Sequence, residues 1–166
     1  MEVKKKLRGS ELICLLLCAA SVIGMICALQ LKGNDPQSGF TPPPFDAEAR
    51  IGTPEVPQEC GWSELDAKAF RVSVSGALTV SEDSVDVWLT NPAENTVWLK
   101  LRLCTPDGSI LGETGLICPG EYVQQVTLGD PPEEEMPVVL KIMAYQPDTY
   151  YSEGSVSLKT TIKVGK

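Results

Sequence analysis

Proton transfer near neutral pH falls most often to histidine, and this 166-residue sequence contains none. The absence removes Ser–His and Cys–His nucleophilic pairs and the commonest metal ligand together. No G-x-S-x-G motif occurs. Composition leaves a Ser–Lys dyad open, but no spacing points to one. Of the six cysteines, Cys14, Cys18 and Cys27 fall in an apolar run and read as small packing residues. Cys60, Cys104 and Cys118 form no C-x-x-C, so metal-ligand spacing is missing. One pair with one free thiol and three free thiols both fit, and Cys104 with Cys118 is the candidate disulfide.

Carboxylates cluster at Asp130 with Glu133 to Glu135 and at Glu82, Asp83 and Asp86. A calcium loop would need ligands at regular short spacing, whereas Pro131 and Pro132 interrupt the first group. Both groups read as solvated turns. The sequence implies no catalytic residue, no metal and no cofactor, and it reads as a non-enzyme. The aromatic residues carry more. In "TVWLKLRL", Val97, Leu99, Leu101 and Leu103 alternate with Trp98, Lys100 and Arg102. The first set predicts an inner face and the second an outer one. Trp88 is expected outward on a neighbouring strand, so the two indoles would share one face if those strands pair. Tyr150 and Tyr151 sit in a loop beside Asp148. Aromatics flanked by polar groups suit contact with protein or carbohydrate, which makes Trp88, Trp98, Lys100, Arg102, Tyr150 and Tyr151 the candidate binding surface.

These side chains need strands to hold them. From residue 63 onward the chain shows short alternating runs separated by turn signals such as "NPAEN" and "TPDGS". The runs are "FRVSVSGALTV", "SVDVWLTN", "TVWLKLRL", "ILGETG", "YVQQVTL", "VVLKIMAYQ" and "VSLKTTIKV". They make seven strands, or eight if Gly76 splits the first. In "YVQQVTL" the inward set is ambiguous, with Tyr122, Gln124, Val126 and Leu128 favoured over Val123, Gln125 and Thr127. The pattern predicts an all-β fold, an antiparallel immunoglobulin-like sandwich over 63–166.

The preceding segments predict location. Residues 1–11 are basic, with Lys4, Lys5, Lys6 and Arg8. Residues 12–29 carry no charge over 18 positions, a helix of about 27 Å against a hydrocarbon core of ~30 Å. A transmembrane helix or signal anchor over 12–31 is expected, with a cleaved signal peptide ending near Ala28 as the alternative. Either way the basic end stays inside and the rest is exported. Residues 32–62 hold six of the 13 prolines and read as a linker. As polyproline II, its first 26 residues, 32–57, would reach roughly 80 Å. The formal net charge is −8 and the body beyond the apolar run is acidic, which argues against a nucleic-acid partner.

The elements "TNP" (90–92), "DG" (107–108), "GETGLI" (112–117), "PGEY" (119–122) and "LKIMAYQPDTYYS" (140–152) resemble small membrane-anchored surface proteins of Gram-positive gut bacteria. In these an N-terminal helix and a Pro-rich linker precede one immunoglobulin-like domain. The resemblance spans roughly 53–162 and implies a single-pass membrane protein with its C-terminal domain outside. Some such proteins are associated with conjugative elements, which implies a cell-surface or transfer-apparatus role. The resemblance also implies ordinary residues where this chain has Cys104 and Cys118. The function expected is a non-catalytic binding or scaffolding module that docks an envelope protein through a sheet face or edge strand. A structural subunit of a transfer or secretion assembly and a cell-wall glycan-binding module are the alternatives.

Overall fold

Alternation in the sequence becomes a sheet with one buried side. The computed structural model describes residues 41–165. The basic terminus, the apolar run and the first part of the Pro-rich stretch lie outside the described residues. Ten strands are present among them: β1 Arg50–Ile51, β2 Trp62–Asp66, β3 Arg71–Ser75, β4 Leu78–Ser81, β5 Ser84–Asn91, β6 Trp98–Cys104, β7 Ile110–Glu113, β8 Glu121–Thr127, β9 Met136–Tyr145 and β10 Ser152–Val164. A single 3-10 turn, Gln58–Cys60, precedes β2. The fold is all-β.

The hydrogen-bonded order is β1-β8-β5-β4-β10-β9-β6-β7, with β2 and β3 joining through β5. The sheet curls, so that its two limbs bury one core between them. That core holds Val85, Val87 and Leu89 of β5, Leu99, Leu101 and Leu103 of β6, and Leu140, Ile142 and Ala144 of β9. The inner set expected in β6 is fully buried. The curl closes where β7 meets the end of β8: Gly129 N–H donates to the Leu111 carbonyl at 2.9 Å. Gly112 permits that approach, since a Cβ there would overlap the Thr127 carbonyl and Val126.

Several expectations change. Gly76 divides its run into two strands, β3 and β4. β4 pairs with the tail of β10 in parallel, so the sheet is not wholly antiparallel. In β10 only Ile162 of the expected inner set is fully buried; it lies where the strand is paired on both sides, whereas Val156, Leu158 and Thr160 pair with β9 alone. In β8, Val123, Val126 and Leu128 are all buried, so neither alternating set is inward throughout. A bulge explains this: Asp86 pairs with Gln125 and Leu89 with Val123, leaving Val87 and Trp88 opposite Gln124. The extra residue shifts the phase of β5 against β8.

The larger correction concerns the linker. Residues 42–62 belong to the same compact unit as the strands. Phe45 forms a parallel bridge with Leu116, and Arg50 and Ile51 pair with Tyr122 and Glu121. The Asp46 carboxylate accepts from Gly115 N–H at 2.7 Å and from Glu48 N–H at 2.9 Å. Prolines suit this strap because they give extended backbone without needing ladder donors of their own. β2, over residues given no element in the sequence reading, is a further strand paired with β3.

Candidate functional site

The outer face of β6 begins at Trp98, which lies opposite Tyr145 at the end of β9. The β9–β10 connection folds back over it. Gln146 N–H donates to the Tyr151 carbonyl at 2.8 Å, and Tyr150 N–H to the Gln146 carbonyl at 3.0 Å. Asp148 and Tyr150 take positive φ, 65° and 58°. A bulky side chain rarely adopts that conformation, so the loop pays local strain to set its rings. Tyr150 rests on Trp98 with ring centroids 5.3 Å apart. Phe45, from the strap, meets Trp98 edge-on at 4.8 Å. Three chain segments thus build one aromatic corner. Phe45 is 46% exposed there and neighbouring Tyr151 is 72% exposed.

Further along β6 the expected surface cations are tied down. Lys100 Nζ and Arg102 Nε each reach a different oxygen of Glu113 on β7, both at 2.7 Å. The Lys100 side chain is 6% exposed, so it is not an open contact residue as expected; its ammonium is directed to one carboxylate. Burial pushes the Glu113 carboxyl up, but hydrogen bonds and charge from Lys100 and Arg102 outweigh it and hold the group below the usual range. Arg102 remains half-exposed.

Trp88 does not join Trp98. β5 and β6 are not neighbours in the sheet, because residues 92–97 carry the chain from one limb to the other. Trp88 stands at the β5 bulge with φ 47° and stacks on Tyr122 of β8 at 6.4 Å. Its indole N–H is buried without a hydrogen bond of good geometry, and its electrostatic effect falls on the Cys60 thiol. Burial first, then the Asp86 charge, pushes that thiol up; the indole N–H acts the other way, and Glu59 adds to the rise. Cys118 is likewise raised, by burial and then by Glu121. Both sulfurs therefore favour the protonated, weakly nucleophilic form.

The candidate disulfide does not form: Cys60, Cys104 and Cys118 are free thiols. The topology gives the reason. Ile117 pairs with Leu99, so Cys118 lies near the start of β6 while Cys104 ends it. Five strand residues span about 16 Å, well beyond the 4.4–6.8 Å between disulfide Cα atoms.

The structure thus joins Trp98 with Tyr150, and Lys100 with Arg102, but separates Trp88. Sequence reasoning missed three participants. Phe45 was hidden in "FTPPPF", read as spacer, and Glu113 in "GETG", where no partner was evident. Tyr122 was hidden because the β5 bulge leaves no pattern in β8 alone. No group of three or more Cys, Asp or Glu side chains is arranged for a metal among the described residues. No helix among them is long and apolar enough to cross a membrane.

No family model matches the chain. No curated protein matches it either. Among solved structures the chain is similar to CopC from Methylosinus trichosporium OB3b, at 15% identity, over 62% of this chain and 92% of that one, with a TM-score of 0.33. A likeness at that level carries no argument, and the reading of function rests on the chain itself.

Proposed function

We propose that this chain is a membrane-anchored extracytoplasmic binding module, non-catalytic, built on an immunoglobulin-like β-sandwich. The apolar run 12–29 supplies the anchor and the basic end the inward orientation. Two facing limbs around one apolar core, with a long last strand crossing between them, support the sandwich reading. The observation that carries the function is the aromatic corner of Phe45, Trp98 and Tyr150, with exposed Tyr151 beside it. Rigid aromatics give large contact area at small entropic cost, and a strained loop sets Tyr150 against Trp98.

An envelope protein is the partner proposed first, because exposed rings flanked by polar groups suit a protein contact. A cell-wall glycan is the second reading, favoured by open ring faces at Phe45 and Tyr151.

Photocrosslinking tests this directly. Benzoylphenylalanine at position 151 in the full-length chain in cells is expected to yield a discrete adduct, absent when the probe stands at exposed Lys141 or Lys163. Trp98→Ala should weaken the adduct at least tenfold. Equal crosslinking from all three positions, or none from position 151, would overturn the corner as the docking site. An adduct lost on muramidase digestion rather than on proteolysis would assign the glycan.

A further inference from the structure

The second open feature lies on the other limb. β2 pairs with β3 and with no other strand among the described residues. The ladder fixes which of its backbone groups are free. Ala67 N–H donates to Phe70 and Gly76 N–H to Gly61, at 2.9 and 2.8 Å, and these pairs continue the register Ser63↔Val74 and Leu65↔Val72. In an antiparallel ladder hydrogen-bonded pairs alternate with non-bonded ones. The odd residues of β2 therefore bond to β3. Trp62, Glu64 and Asp66 turn their N–H and C=O groups to the open edge.

The same three residues point their side chains to the exposed face, with Trp62 38% exposed. One strand thus offers free ladder groups and an aromatic-acid-acid row at the same positions. Beside it a groove of about 470 Å³ is lined by Glu64, Asp66, Arg71 and Glu94 among others. Arg71 meets Asp66 at 3.0 Å, whereas Glu64 and Glu94 have no ion pair among the described residues.

We infer that the β2 edge accepts an extended peptide segment with Lys or Arg at every second residue, added as an antiparallel strand. Each basic residue opposite Glu64 or Asp66 exchanges backbone hydrogen bonds with it and places its cation across from the carboxylate. A second copy of this chain is a poor occupant, since β2 against β2 sets acid against acid. The chain's own Lys4, Lys5 and Lys6 lack the alternation. The site rests on the docking reading above, and on a surface separate from the aromatic corner.

Fluorescence anisotropy on the full-length chain in mild detergent, with a labelled eight-residue peptide alternating Lys and Thr, tests the site. Binding is expected, weakening about tenfold in Glu64→Gln/Asp66→Asn. N-methylation of the Lys amides, which face β2, should cost at least tenfold; N-methylation of the Thr amides, which face away, should cost little. The peptide comparison leaves the protein unchanged, so loss of folding cannot mimic the result. No binding at millimolar peptide, or equal binding of both methylated peptides, overturns the inference; the latter shows general attraction to an acidic body. Crosslinking at position 151 without peptide binding would sink this site and leave the docking function standing.

Discussion

Glu113 shows how a single carboxylate organises the outer face of β6. It is 39% exposed, yet it neutralises a Lys100 side chain that is 6% exposed. Its pKa is held down in the folded state, chiefly because the two cations outweigh burial. The stability it contributes is therefore present above the ordinary carboxylate range and lost as pH falls through its lowered folded value. Glu113→Gln should cost about 1–2 kcal/mol at neutral pH, the upper part discounted because the pair is partly solvated. Urea unfolding across pH checks the sign: the gap between the two proteins should close in acid. A gap independent of pH would remove the ionic role. At this scale the sequence was only partly legible. Alternation placed Lys100 and Arg102 on the outer face correctly, but pattern cannot show that a neighbouring strand brings a carboxylate over them.

Among the elements, the strap at 44–51 alters the picture most. It pairs with residues 115–116 at one point and with β8 at another, so it closes two sheet edges that would otherwise be open. Gly115 is what lets it lie so close, since a Cβ there would overlap the Asp46 backbone. Gly115→Ala is expected to displace residues 44–46 and cost about 1–3 kcal/mol. Limited trypsin digestion reads the displacement as new cleavage at Arg50, which sits in β1 in the wild type. Unchanged protection would show that the strap holds without that contact. Composition had marked this segment as spacer for a physical reason. Polyproline II and an edge strand are both extended backbone that proline tolerates, and tertiary contacts decide between them. The central strands were legible because alternation over five to eight residues commits one face to the core. β1 was too short for that signal, and β2 straddles the boundary drawn between linker and domain at residue 63.

For the whole molecule, the all-β class followed from evenly spaced short runs and turn dipeptides, and the core residues of β5 and β6 from their period. The order of strands did not, because the crossing at 92–97 separates β5 from β6 in a way that no local pattern encodes. That separation is why Trp88 and Trp98 serve different surfaces. The proposed placement has the basic end inside, the apolar run as anchor and the described domain outside the membrane. Tyr151→Cys in full-length chain lacking Cys60, Cys104 and Cys118, treated in intact cells with a membrane-impermeant maleimide, tests it most directly, with Lys4→Cys in the same background as control. Labelling at position 151 before lysis and none at position 4 is the expected result. Labelling at position 4 in intact cells, with position 151 dark until lysis, would contradict it.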